Sequence, residues 1–112
     1  MATSYKILGQ VAPAANVSGG SQLYAAGSTT SAVVSTIAVC NRGTSAATFR
    51  LAVREDNAAL TDKQWLYYDT TVPALTTYHY TIGITLSAND SITVVASTAN
   101  FSFQAFGSEI TA

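Results

Sequence analysis

Hydrophobic and polar positions alternate along most of the chain from residue 32 onward, a period-two pattern that predicts β-strands. Between residues 48 and 54, Phe49, Leu51 and Val53 fall on one face, while Arg50 and Arg54 fall on the other. We predict strands at residues 33–40, 48–54, 65–72, 75–82, 84–86, 92–96 and 100–107, the first two joined as a hairpin by a turn at residues 41–44. This spacing, without helical periodicity, predicts an all-β fold: an antiparallel β-sandwich of jelly-roll or immunoglobulin-like type.

The first 31 residues do not follow this pattern. Residues 5–11 fit one short strand, but residues 12–30 are mostly small and polar, and their only large side chains are Leu23 and Tyr24. A stretch of this length and composition is either flexible or lies across a neighbour. We therefore predict an N-terminal strand and extended arm at residues 1–31, anchored by Leu23 and Tyr24, and a β-sandwich domain at residues 32–112.

The composition is typical of a β domain and disfavours several other classes of protein. The chain has 112 residues, of which 48% are hydrophobic and only 10% are charged, and its net charge is −1. It lacks the high net charge of a disordered segment and the basic stripe of a nucleic-acid binder, so we expect no nucleic-acid partner. No signal peptide or membrane-length apolar stretch is evident, so we expect cytoplasmic synthesis and no membrane partner.

The few charges are unevenly distributed. Seven of the eleven charged residues lie between Arg50 and Asp69, and the remaining surface is rich in Ala, Ser and Thr. Two interpretations are open: this window is simply the most exposed edge, or it is a mixed-sign patch that aligns one subunit with another. Under the second interpretation, the expected interface combines the arm anchor with the patch: Leu23, Tyr24, Arg50, Arg54, Glu55, Asp56, Asp62 and Lys63.

Residues suited to catalysis or metal binding are sparse. His79 is the only histidine, and a general base needs an orienting partner, which Asp69 could provide across a hairpin. No serine lies in a Gly-x-Ser-x-Gly elbow. One histidine and one cysteine cannot complete a structural zinc site, and Glu55, Asp56 and Asp62 do not follow a calcium loop. We predict that the protein is not an enzyme and has no catalytic residues, no metal ligands and no cofactor.

Aromatic residues support a further binding hypothesis. Several fall on two strands expected to be neighbours, and Trp65, Tyr67 and Tyr80 would form an aromatic surface. Sugar-binding modules expose such platforms. Aromatic pairs across strands also stabilise a sheet, so packing in the core or at an interface is the alternative.

Four stretches of the sequence carry a resemblance to a known group of proteins: TIAVCNRGTSAATFRLAV, LTDKQWLYYDTTVPA, GITLSANDSITVVAS and NFSFQAFGSEI. Together with the opening SYKILGQ, they resemble small virion structural proteins of tailed bacteriophages, cyanophages in particular. The resemblance covers nearly the whole chain. It implies a non-enzymatic β-sandwich component of the virion, made in the cytoplasm of the bacterial host.

Two placements on the particle are open within this resemblance. A capsid cement or decoration protein would bind the major capsid protein from outside, often as a trimer, and a many-copy ligand of the shell stabilises the head by mass action. A tail, baseplate or fibre-associated adaptor would instead bind tail or baseplate proteins. The small size and the arm favour the cement protein, for which the resemblance implies a homotrimer. A carbohydrate-binding β-sandwich module is the third hypothesis.

Overall fold

The computed structural model describes residues 2–111. They form two short 3-10 turns, Glu55–Asn57 and Asp62–Gln64, and nine strands: β1 (Ala2–Val11), β2 (Ser21–Ala25), β3 (Thr30–Asn41), β4 (Ala47–Arg54), β5 (Trp65–Val72), β6 (Thr76–Tyr80), β7 (Ile84–Leu86), β8 (Ser91–Ala96) and β9 (Phe101–Thr111). The all-β prediction is confirmed, and β5 has the predicted bounds. Within residues 2–111, no helix is long and apolar enough to span a membrane.

The strands form two antiparallel sheets. Sheet A has the order β1-β9-β3-β6, with β7 also paired to β3, and sheet B has the order β2-β8-β4-β5. Along the chain the pairs are nested: β4 with β5, β3 with β6 and β7, β2 with β8, and β1 with β9. One long hairpin rolled up in this way is a jelly roll, so the predicted sandwich is of this type.

The core lies between the inner faces of the two sheets and is centred on Phe49. The ring of Phe49, from sheet B, lies within 5.8–6.3 Å of the rings of Tyr67, Tyr80, Phe101 and Phe103, measured between centroids. Three of these four rings belong to sheet A. Since aromatic pairs at this spacing add to the energy of area burial, this cluster fastens one sheet to the other.

The predicted hairpin of β3 and β4 is wrong, because these strands belong to different sheets. The connection between them is organised by Asn41, which is only 1% exposed. Its side-chain amide donates to the carbonyls of Ser45 (3.0 Å) and Val72 (3.1 Å), and its Oδ1 accepts from the N–H of Gly43 (2.9 Å). These bonds connect the end of β3 to the end of β5 and stabilise the turn through which the chain passes from sheet A to sheet B.

The N-terminal residues belong to the sandwich and do not form the predicted arm. β1 pairs with β9 along its whole length, and β2 pairs with β8. Leu23 and Tyr24 are core residues, 5% and 6% exposed. Gly9 permits this packing, because a Cβ there would overlap the carbonyl oxygen of Leu23. Residues 2–31 and 32–111 therefore share one sandwich, while the predicted domain ends, residues 1 and 112, lie outside the described residues.

Candidate functional site

The two outer faces of the sandwich differ in charge. Strand register and the alternation of side chains place no Asp, Glu, Lys or Arg at the outward-facing positions of the sheet A strands among residues 2–111. Arg42, exposed directly after β3, lies at the end of the sheet, where its guanidinium donates to the carbonyls of Ala99 and Phe101. The side chains on the outer face of sheet A are Thr3, Tyr5, Ile7 and Gln10 of β1, Ser31, Val33, Ser35, Thr36, Ala38 and Cys40 of β3, Thr77 and His79 of β6, Thr85 of β7, and Ser102, Gln104, Phe106, Ser108 and Ile110 of β9.

An apolar groove crosses this face near the edge strand β1. Tyr5 is 87% exposed, Ile7 54% and Val33 37%, and together with the half-buried Phe106 they line a groove of about 480 Å³, whose lining also includes Lys6. β3 and β9 approach closely at its floor, where a Cβ on Gly107 would overlap the carbonyl oxygen of Val33. A group of exposed apolar side chains of this kind is typical of an interaction surface.

The charged residues at this end of sheet A turn toward the inner side. Lys6 Nζ lies 2.5 Å from a carboxylate oxygen of Glu109, whose other oxygen accepts a hydrogen bond from the Tyr24 hydroxyl. The bond from Lys6, followed by the bond from Tyr24, lowers the pKa of Glu109 below its ordinary value. Burial and the neighbouring carboxylate raise the pKa of Tyr24. The network pairs Lys6 with a carboxylate and joins β1, β9 and β2.

This network predicts an acid-dependent loss of stability. The pKa of Glu109 is lower in the folded state than in the unfolded state. The ionised carboxylate therefore adds its full contribution to the free energy of unfolding above the ordinary pKa of about 4.3, and this contribution is lost as the pH falls through the lowered pKa. Glu109→Gln should be less stable than the parent by on the order of 1 kcal/mol at pH 7, and the two stabilities should converge as the pH falls through the lowered pKa of Glu109. Urea unfolding at pH 7, 5, 4 and 3 measures the difference in stability between Glu109→Gln and the parent. A difference that stays constant with pH would contradict a stabilising role of the ionised Glu109.

The outer face of sheet B carries an ion pair framed by aromatic rings. The Arg50 guanidinium donates to both carboxylate oxygens of Asp69, at 2.7 and 3.2 Å, and its Cζ lies 4.0 Å from the ring centroid of Tyr68. Trp65 packs edge-on against Tyr68 with the centroids 5.5 Å apart. The hydrogen bond from Arg50 lowers the pKa of Asp69, so the carboxylate stays ionised. The pair joins β4 to β5, and two aromatic residues of β5, Tyr68 and Trp65, pack around its guanidinium.

A cleft of about 280 Å³ lies beside this pair. One wall is the loop at residues 16–20, and the other is formed by Leu60, Trp65 and the Arg50–Asp69 pair. Trp65 was part of the predicted aromatic surface, and it does lie at this outer cleft. The cleft combines an aromatic ring with hydroxyl, amide and paired charged groups, which suits a small polar ligand.

The other two residues of the predicted aromatic surface point inward. Tyr67 and Tyr80 stack with their centroids 4.3 Å apart and pack against the core. β-bulges in the pairing of β4 with β5 explain the difference: Leu51 is opposite Tyr67, but the next residue, Ala52, is opposite Trp65. The extra residue reverses the alternation, so Trp65 and Tyr67 lie on opposite faces and the predicted three-residue surface does not form.

The predicted interface residues separate into three groups. Leu23 and Tyr24 are buried in the core and cannot serve as an exposed contact. Arg50 belongs to the cleft, and Arg54 binds its own chain through the carbonyls of Asn57 (3.3 Å) and Ala58 (2.7 Å). The remaining charged residues of the patch are exposed on the connection between β4 and β5: Glu55, Asp56, Asp62 and Lys63.

The suggested contact between His79 and Asp69 is not formed. His79 is exposed on sheet A, whereas Asp69 is on sheet B and binds Arg50. Across residues 2–111, no three side chains of His, Cys, Asp or Glu come together as a metal site requires.

No family model and no curated protein sequence matches this chain. Among solved structures, it is similar to a chain in the crystal structure of the T13 IBDV viral particle, with a TM-score of 0.49 and 13% identity over 96% of this chain and 30% of that chain. It is also similar to Clostridium thermocellum endo-1,4-β-D-xylanase 10B, in a structure of the CBM22-1 and GH10 modules with xylohexaose; the TM-score is 0.42, with 14% identity over 96% of this chain and 26% of that chain. The chain thus spans less than a third of the length of either.

Proposed function

We propose that this chain is a non-enzymatic structural subunit of a bacteriophage virion: a cement protein that lies on the outside of the capsid, with sheet A facing the shell. The outer face of sheet A carries the proposal, because it combines an apolar groove with a rim of hydroxyl and amide groups, and no outward-facing position of its strands is charged among residues 2–111. The one charged residue in the lining of the groove, Lys6, is paired with Glu109. Covering such a face removes apolar surface from water and buries no unpaired charge. The resemblance of the sequence to small virion proteins supports placing that face on a capsid.

The dimensions of the sandwich suit this role. The molecule measures 45 × 27 × 20 Å, so its two broad faces extend over as much as 45 × 27 Å. A standard protein–protein interface buries about 800 Å² on each partner. One face can therefore provide a full interface with the major capsid protein and leave the opposite face exposed.

The edge of β1 supplies a further contact for assembly. β1 is the terminal strand of sheet A and pairs with β9 on one side. The unpaired backbone groups of an edge strand are a template for contact with another chain. Repeated around a three-fold position of the shell, a contact between this edge and a neighbouring copy would close into the proposed homotrimer.

Quantitative mass spectrometry of purified virions, with heads and tails separated, tests the proposed function. The cement proposal predicts hundreds of copies per particle, recovered with tailless heads. A handful of copies recovered with tails would reject cement in favour of the tail, baseplate or fibre-associated adaptor. Absence of the chain from purified virions would overturn the virion assignment itself.

A further inference from the structure

The cleft on the outer face of sheet B is a second site, which the proposed attachment through sheet A does not use. Its volume of about 280 Å³ is near the lower end of the roughly 300–1,000 Å³ of small-ligand sites. Thr48 and Val95 lie in its lining between the loop wall and the wall that contains Trp65. The space therefore suits a ligand of one or two rings.

The loop wall is fixed to the sheet by backbone hydrogen bonds. Asn16 donates its N–H to the carbonyl of Ala96 at 2.8 Å, and Gly20 donates to Val17 at 3.0 Å. Asn16, Gly19 and Gly20 all have positive φ, and a Cβ on Gly20 would overlap the methyl group of Thr93. The loop thus lies directly on sheet B. A cleft formed in advance reduces the entropy that binding costs.

The charges that line the cleft cancel one another. Arg50 and Asp69 form a bidentate pair at 2.7 and 3.2 Å, so the cleft presents no net charge to a ligand. The pair still has unused hydrogen-bonding capacity, since the Asp69 side chain is 51% exposed. A phosphate or carboxylate would meet the Asp69 carboxylate, whereas a hydroxyl group can both donate to Asp69 and accept from Arg50.

We infer that this cleft binds a neutral saccharide, one or two residues of a glycan. A sugar ring carries C–H groups that pack on an aromatic ring and hydroxyl groups at its rim that need donors and acceptors. Trp65 provides the aromatic ring, and Arg50, Asp69 and the Asn16 amide provide the polar groups in the same cleft. The residues differ from those of the sheet A face, so this inference and the proposed function can fail independently.

Fluorescence of the intact protein tests the inference directly, because Trp65 is the only tryptophan in the chain. The probes are neutral oligosaccharides (cello-, xylo-, malto-, manno- and N-acetylglucosamine tetramers), with sialyllactose and oligogalacturonate as charged comparisons. A saturable change in emission with at least one neutral probe, and none with the charged probes, is the expected result. No response to any neutral probe, or tighter binding of the charged probes, would overturn the inference.

Three variants and one control locate the binding by calorimetry with the responding probe. Trp65→Ala and Asp69→Ala should each bind at least tenfold more weakly. Asn16→Gly keeps a residue that tolerates positive φ and removes the amide, including its long bond of 3.5 Å to the carbonyl of Ser97, and it should also bind more weakly. The control is Tyr5→Ala, which removes an exposed ring from sheet A and should bind within twofold of the parent. Parent-like affinity in the folded cleft variants would show that the saccharide binds elsewhere.

Discussion

Replacing Asn41 with aspartate should destabilise the sandwich by about 3–5 kcal/mol, a large part of the roughly 5–15 kcal/mol that holds a domain folded. The substitution keeps the shape of the side chain but replaces its amide donor with a carboxylate. The carbonyls of Ser45 and Val72, which now accept hydrogen bonds at 3.0 and 3.1 Å, would face a negative oxygen in a site that is 1% exposed. Both the buried charge and the two carbonyls left without a donor oppose folding.

Urea unfolding at pH 7 measures this effect, with Asn100→Asp as the matched control. Asn100 is exposed in the loop before β9, so the same chemical change there should alter stability by less than about 0.5 kcal/mol. The deficit of Asn41→Asp should shrink as the pH falls, because burial raises the pKa of the introduced carboxyl and its protonated form can donate again. A loss of stability below 1 kcal/mol at pH 7 would mean that the hydrogen bonds of Asn41 do not stabilise the connection between β3 and β4.

Two glutamates on the outer face of sheet A should weaken attachment to the shell by at least 100-fold. Tyr5 and Ile7 are 87% and 54% exposed, so Tyr5→Glu with Ile7→Glu should leave the monomer folded. In the proposed complex, both carboxylates would be buried without partners, and removing them from water opposes binding. A 100-fold loss of affinity corresponds to about 2.7 kcal/mol, which is only part of this desolvation cost. Cosedimentation of the purified protein with heads that lack it gives the affinity.

The control for this variant carries the same two charges elsewhere. Leu66 on β5 and Leu75 in the turn after it are 48% and 72% exposed, and both lie away from the sheet A groove. Leu66→Glu with Leu75→Glu should bind heads as the parent does and melt within a few degrees of it. Equal losses of affinity for heads in the two double variants would indicate a general effect of charge. Parent-like binding of the Tyr5 and Ile7 variant would place the shell contact on another face.

Alternation in the sequence identifies strands and their faces but not their partners. The bounds of β5 and the inward positions of Phe49 and Leu51 follow from pattern alone, since period two relates directly to burial. The pairing of β3 and β4 could not be found in this way. A short turn between two alternating runs resembles a hairpin, and only the bonds of Asn41 to Ser45 and to the distant Val72 show that the chain changes sheets.

Short and irregular strands account for the other differences. β2 buries two consecutive large residues, Leu23 and Tyr24, across a β-bulge, so no alternation marks it within a small and polar stretch. In β5, bulges reverse the face between Trp65 and Tyr67, which separates residues that simple counting places together. The cleft depends on both features, because its walls are the loop before β2 and the outer face of β5.

A reconstruction of the virion by electron cryomicroscopy, with the sandwich fitted into the density on the head, tests the proposed attachment through sheet A most directly. We expect sheet A, with Tyr5, Ile7 and Val33, to lie against the major capsid protein, and the cleft at Trp65 to open to solvent. Density that places sheet B against the shell with the sheet A groove uncovered, or that finds the chain only on the tail, would contradict it.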